Sequence, residues 1–210
     1  MTTSRTDLFD NWASNYNPGE NERFPFIGYD AVIEAVARLS APAPGDTVLD
    51  IGIGTGNLAQ NFVEAGCTVF GIDFSARMLE KASEQVPSTT LVQTDILAEQ
   101  WPSELDRKFD IIVSGYTFHE FNDAAKVQLL QRLFEHNLQE NALIIIGDIA
   151  FPTKQAEQEA EEKWRRLWDH DEFYWIADHM TDLCAKSGIA LRYLQVSECS
   201  GIFVAERMLS

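Results

Sequence analysis

Four aspartates stand where apolar runs end: Asp50 just before Gly52, Asp73 after VFGI, Asp95 after LVQT and Asp148 after ALIIIG. The first three lie 23 and 22 residues apart, one strand and one helix each. A carboxylate at the end of a buried strand loses much of its hydration and needs donors to replace it. No matching series of lysines or arginines accompanies these acids, so the pattern predicts that a ligand supplies the donors. The loop after the first run, VLDIGIGTGNL, places glycines at 52, 54 and 56. A side chain at such positions hinders a tight turn or the close approach of backbone to a ligand. The helix expected from about Asn57 then offers unpaired amides to an anionic group such as an amino-acid carboxylate. A dinucleotide site is the competing reading. Its fingerprint is G-x-G-x-x-G, whereas this loop is G-x-G-x-G with Asn57 where the third glycine would fall.

Acids at strand ends act together only if a sheet brings those ends to one side. Asp46 to Ile51 reads as a buried strand, followed by a helix from Asn57 to about Ala65. Thr68 to Ile72 is a second strand and Ala76 to about Gln85 its helix. Thr90 to Gln93, Phe109 to Ser114 and Ala142 to Gly147 read as the third, fourth and fifth strands. Between the last two, Val127, Leu130, Leu133, Phe134 and Leu138 fall at the three-four spacing of one helical face. Short apolar strands alternating with helices predict a parallel sheet covered on both faces. The last stretch, ALRYLQVS-ECSG-IFVAER, reads as two strands across a short turn, which makes them antiparallel.

The expected fold is therefore α/β, doubly wound, with a mostly parallel seven-stranded sheet, an antiparallel C-terminal hairpin and helical cover at both ends. Residues 1–45 read as an N-terminal helical cap, with helices from about Thr6 to Tyr16 and Ile27 to Leu39 around the loop PGENERFPF. Residues 46–210 form the core, and 152–188 a helical cover insertion with helices at Lys154 to Trp168 and about Trp175 to Lys186.

Charge narrows the partners. The 210 residues carry 33 acids against 16 bases, a net charge of -17, which repels nucleic acid and anionic lipid at long range. No basic cluster offsets this, because Arg165 and Arg166 sit among acids. No run approaches the roughly 20 apolar residues of a membrane span, and the N-terminus carries no secretory pattern. Three unevenly spaced cysteines (Cys67, Cys184, Cys199) match neither a disulfide framework nor a zinc site. These features predict a cytoplasmic protein with no nucleic-acid or membrane partner, acting as a monomer or homodimer.

VLDIGIGTGNL, VFGIDFSARML, LVQTDI and FDIIVSGYTFHEF resemble the successive motifs of class I S-adenosylmethionine-dependent methyltransferases. The opening FDNWASNY resembles the lead helix of a bacterial small-molecule branch of ubiquinone-biosynthesis type. The resemblance implies S-adenosylmethionine as cofactor and S-adenosylhomocysteine as product. It implies that Gly52, Gly54 and Gly56 line the methionine part, with Asp50 near the ammonium group. Asp73 would accept from both ribose hydroxyls, Phe74 and Met78 would flank the adenine, and Asp95 with Ile96 would meet its edge. Ser114, Gly115 and Tyr116 would stand where cofactor and acceptor meet, and Tyr16 would close over the cofactor.

The same resemblance sorts the acceptors. Ser114-Gly115-Tyr116-Thr117 replaces the Asn/Asp-Pro-Pro-Tyr of nucleobase and amide methylases, and no Pro-Cys nucleophile appears. Metal-dependent catechol-type enzymes carry carboxylates after both the fourth and fifth strands, and only Asp148 fits, so no metal is expected. His119 is a candidate general base, with Tyr116 beside it, or else a loop anchor. Glu120 is expected to face solvent or cap the next helix. His136 is expected on a polar helix face, and His170 and His179 in the C-terminal cover. Tyr29, Asp148 and Tyr174 are candidate acceptor contacts, and Phe24 and Phe26 candidate roof residues. The leading reading is metal-independent methyl transfer to a small molecule. The alternatives are a protein or RNA methyltransferase and a non-catalytic cofactor-binding or scaffold module.

Overall fold

The central strand β1 (Thr47–Ile51) is buried along nearly its whole length, as a strand covered on both faces must be. In the computed structural model, which describes residues 23–208, it lies between β2 (Thr68–Asp73) and β4 (Phe109–Gly115), parallel to both. β3 (Thr90–Gln93) extends the sheet beyond β2, and β5 (Leu138–Phe151) beyond β4. The hairpin β7 (Ile189–Gln195) and β8 (Ser200–Arg207) closes that edge, with β8 antiparallel to β5. The order β3-β2-β1-β4-β5-β8-β7 is the expected seven-strand sheet. The chain winds one way from β1 and the other way from β4, which opens a crevice at the carboxyl ends of those two strands.

Strand alternation sends Leu49 and Ile51 to one face and Val48 to the other, so each face builds its own core. On the Val48 face pack α1 (Tyr29–Ser40), α2 (Asn57–Glu64) and α3 (Ala76–Gln85), through Val32, Val36, Phe62 and Leu79. On the Leu49 face pack α4 (Asp123–Arg132) and α6 (Ala177–Ala185), through Val127, Leu130, Met180 and Cys184. The cover helix α5 (Lys154–Trp164) has no fully buried residue and lies over the Val48 side through Ala156, Ala160 and Trp164.

Several boundaries differ from the sequence expectation. Leu138, expected on a helical face, begins β5 and pairs with Phe109. The helix before it ends in a wide π turn, Leu133–Asn137, which keeps Leu133 and Phe134 in the core while the chain reverses. The first cover helix stops at Trp164, and Trp168 leaves the helix to pack against Phe24 and Tyr174 at 5.2 and 4.8 Å between ring centroids. The second begins at Ala177, because Trp175–Ile176 form β6, a short extra strand paired with Ala150 and Phe151. The segment FDNWASNY, the expected helix from Thr6 to Tyr16 and Tyr16 itself lie outside the described residues. Among the described residues, no helix is long and apolar enough to cross a membrane. All three cysteines are free thiols.

Candidate active site

A cavity of about 710 Å³ opens at the carboxyl ends of β1 and β4, where the winding reverses. Such a volume falls within the roughly 300–1,000 Å³ of small-ligand sites. Asp50, Gly52, Gly54, Asp73, Met78 and Asp95 line one part of it, with Phe74 and Ile96 beside them. Tyr29, Tyr116, Phe26, His119 and Glu120 line the other.

Asp73 organises the glycine loop. Its Oδ2 accepts the Gly54 amide at 3.0 Å and its Oδ1 the Ser75 amide at 2.9 Å. Burial pushes the Asp73 carboxyl up from the usual range, and those amide bonds oppose it. This corrects the expectation that a ligand supplies the donors: the Gly54, Ser75 and Phe74 amides supply backbone hydrogen bonds of their own. Ser75 in turn caps α3 by accepting the Met78 amide at 3.2 Å, which sets Met78 on the cavity wall. Asp95, on the exposed rim, accepts the Leu97 amide at 2.9 Å.

The three loop glycines have different reasons. A Cβ on Gly54, at φ 55°, would project into open space, with only the Gly52 carbonyl at 4.0 Å. That space is the cavity, so Gly54 is where backbone can approach a ligand. A Cβ on Gly52 would stand 2.1 Å from Thr117 Oγ1, so Gly52 admits the loop after β4. Gly56 caps α2 and packs on Val86, away from the cavity.

Asp50 is the carboxylate that lacks donors. It is 1% exposed, and neither oxygen has a hydrogen-bond partner among the described residues. Burial, and secondarily the charge of Asp73, push its pKa from an ordinary 3.8 up to about 8. An ammonium group placed there would give it a partner and favour the carboxylate. Cofactor binding is therefore expected to release a proton below about pH 8, with affinity rising as pH climbs toward 8 and then levelling. The folded pKa lies above the unfolded one, so the ligand-free protein should lose stability between about pH 4 and 8, and Asp50→Asn should remove that loss. Calorimetry in buffers of different ionisation enthalpy counts the proton, and a pH-independent affinity would contradict the assignment.

The other end of the cavity is aromatic. Tyr29 stacks on Tyr116 at 5.0 Å, and Phe26 tilts against Tyr116 at 5.7 Å. Burial pushes the Tyr29 phenol up to about 12 and the Tyr116 phenol higher still. The Tyr116 hydroxyl donates to Ser200 Oγ at 3.1 Å, so it stays a neutral wall residue. Its φ of 52° marks a sharp bend after β4. Ser114 does not reach the cavity: its hydroxyl donates to the Ile51 carbonyl at 2.7 Å and ties β4 to β1.

His119 closes this end from a short 3₁₀ turn, Phe118–Glu120. Its Nδ1 lies 2.6 Å from Asp148 Oδ1, and its amide donates to Asp148 Oδ2 at 2.9 Å. Asp148 also accepts from Trp175 Nε1 at 3.0 Å and from its own neighbour Ile149 at 2.8 Å. Asp148, expected as an acceptor contact, is thus wholly buried behind the histidine, outside the cavity lining. Nε2 faces Glu120 Oε1 at 3.6 Å and Glu172 Oε1 at 3.8 Å. Burial pulls the His119 pKa down, but Asp148, Glu172 and Glu120 outweigh it and hold it at about 9. In the ligand-free protein the ring is therefore charged at neutral pH.

Glu120 corrects another expectation. It lines the cavity beside His119, and Asn122 caps α4 in its place through the Ala125 amide. Sequence reasoning missed Glu172. The Phe173 amide donates to the His119 carbonyl at 2.7 Å, and buried Lys126 Nζ holds the Phe173 carbonyl at 2.5 Å, which docks this segment beside the ring. Tyr174 hydrogen-bonds Glu172 and otherwise sits in the aromatic cluster with Phe24, Phe151 and Trp168, off the cavity. Phe24 belongs to that cluster as well, so Phe26 alone of the pair lines the cavity. His136, His170 and His179 are exposed.

A doubly wound sheet with an antiparallel terminal hairpin, a glycine loop held by the acid of β2 and a buried acid awaiting a cation define a nucleoside-linked amino-acid site. The chain belongs to the class I S-adenosylmethionine-dependent methyltransferases. A family described as "Methyltransferase domain" matches residues 48–137. An uncharacterized methyltransferase of Geobacillus thermodenitrificans is 33% identical over 202 residues, 90% of this chain and 90% of the relative. Among solved structures, the DhpI-SAM-HEP complex matches with a TM-score of 0.73 at 17% identity, covering 98% of this chain and 100% of that one. The magnesium protoporphyrin IX methyltransferase of Synechocystis with bound S-adenosylhomocysteine matches at 0.71 and 17%, covering 97% and 100%. At these identities the likeness is one of fold. The cofactor is S-adenosylmethionine, and Gly54, Asp73 and the partnerless Asp50 suit it.

Proposed function

We propose that this enzyme methylates a small-molecule acceptor held at the His119 end of the cavity. The observation that carries the reading is one continuous cavity running from Asp73 to His119 under the aromatic wall of Phe26, Tyr29 and Tyr116. The bound cofactor supplies an activated sulfonium methyl, so the protein's task is placement of the nucleophile and exclusion of water. Asp73 and the loop amides hold the ribose end, and Asp50 receives the ammonium. The stacked tyrosines cover the methyl-transfer region. His119, fixed by Asp148, stands at the acceptor end of the cavity and positions the acceptor there. The small-molecule class also draws support from the fold relative named for magnesium protoporphyrin IX. The net charge of -17 disfavours RNA.

Release of S-adenosylhomocysteine is the direct test, with a pooled metabolite panel, a protein extract and total RNA as separate acceptors. Turnover is expected with the metabolite pool. Turnover confined to the protein or RNA samples would overturn the reading, and silence with all three would favour a binding module. Duplex RNA or DNA should bind more weakly than the roughly 10⁻⁴–10⁻⁶ M of nonspecific binders at physiological salt. Micromolar anisotropy titrations would contradict that.

A further inference from the structure

We propose that His119, Glu120 and Glu172 form a binding site for one divalent transition-metal ion at the acceptor end of the cavity. One ligand atom from each residue falls within 4.8 Å of the others. His119 Nε2 stands 3.6 Å from one carboxylate and 3.8 Å from the other. Ligands bound 2.0–2.2 Å from a tetrahedral ion stand about 3.4 Å from one another, so small inward shifts of two glutamates complete the geometry. The histidine is more than nine-tenths buried, and the two carboxylates are the polar groups that Nε2 meets among the described residues.

The surrounding bonds are those a metal-binding histidine needs. Asp148 accepts from Nδ1 at 2.6 Å, which fixes the ring so that Nε2 becomes the ligand as the ion displaces its proton. Asp148 is itself fixed by the His119 and Ile149 amides and by the Trp175 indole. Glu172 is placed by the Phe173 amide on the His119 carbonyl and by the Tyr174 hydroxyl on its carboxylate. One imidazole and two carboxylates suit zinc or manganese rather than a soft ion. Three protein ligands also leave a coordination position toward the cavity, which His119 and Glu120 line. The expectation of a metal-free centre considered only residues after the fourth and fifth strands. Glu172 arrives from the cover.

The test needs neither cofactor nor acceptor. Full-length protein is stripped with a chelator and titrated calorimetrically with Zn²⁺ and, separately, Mn²⁺. One ion per chain is expected at micromolar affinity or tighter. His119→Ala and Glu172→Gln should each weaken binding at least about tenfold, with circular dichroism unchanged. His136→Ala, on the exposed Glu135–His136 pair, should leave binding as it was. In Co²⁺-loaded protein, the visible spectrum should change in Glu172→Gln, a signature that altered stability would not produce. Absence of binding by the stripped protein, or equal affinity in His119→Ala and Glu172→Gln, would overturn the proposal. Loss in His136→Ala alone would place the ion on the surface and overturn it equally. S-adenosylmethionine affinity, measured in parallel, reports the cofactor site separately, so failure of one reading leaves the other standing.

Discussion

Gly54→Val is expected to weaken S-adenosylmethionine binding about a hundredfold while the chain still folds. The Cβ of this residue would project into the cavity and touch nothing in the core. A valine at φ 55° carries backbone strain of about 1–3 kcal/mol, felt with and without ligand. Its two methyl groups, however, take space that only the ligand fills, and overpacking of that kind costs roughly 1–3 kcal/mol. At about 1.4 kcal/mol per factor of ten, the upper part of that range is the hundredfold loss. Gly52→Ala should behave in the opposite way. Its Cβ would collide with Thr117 at 2.1 Å, so thermal stability falls first and binding follows.

Asp73→Ala lies between these two. It removes the carboxylate proposed to accept the ribose hydroxyls, worth at least about tenfold in affinity. It also strips the Gly54 and Ser75 amides of their acceptor, so the loop itself should loosen. Calorimetric titration of the three variants, alongside thermal melts, separates the effects. Gly54→Val binding within threefold of the unaltered protein would mean that the loop does not cradle the cofactor.

The cofactor half of the site was legible because its signals are local. Gly52, Gly54 and Asp73 sit within one strand-loop-helix unit and the next strand, and the apolar runs around them leave little choice of fold. The proposed acceptor half was not, because it is assembled from distant segments. His119 and Glu172 meet only after β6 docks on β5 and Phe173 reaches the His119 carbonyl. A two-residue strand such as Trp175–Ile176 has too few residues to show a period.

Asp148 shows a different limit. Reading all strand-end acids alike missed that β5 alternation puts Asp148 on the face of Ile144, Ile146 and Ala150, toward Trp175. Asp50, by contrast, shares the Val48 face and stays without donors. The start of β5 was hidden for a similar reason: Gln139, Glu140 and Asn141 are exposed and polar, so only its apolar centre looked like a strand.

That geometry ranks two variants at the acceptor end. His119→Ala removes the side chain proposed to position the acceptor and should lower kcat at least about 10²-fold, the scale of misplacing a reacting atom by about 1 Å. Asp148→Asn keeps the imidazole but replaces a charged acceptor with an amide that faces donors from Trp175, Ile149 and His119. The ring then loses its fixed orientation, and outer partners of this kind typically contribute about 10–100-fold. Leaving those donors poorly matched should also cost about 1–3 kcal/mol of stability. His119→Ala leaves Asp148 its amide and indole donors but removes its charged partner, so it too should lose stability. The two variants should therefore differ in kcat, with the larger loss in His119→Ala, while both melt below the unaltered protein. In both, the KM for S-adenosylmethionine should change less than about threefold, because neither side chain meets the Asp50 and Asp73 end. Steady-state kinetics and melting curves on both proteins check this. Near-full kcat in His119→Ala would remove the histidine from the acceptor site and reduce it to a brace for the loop after β4.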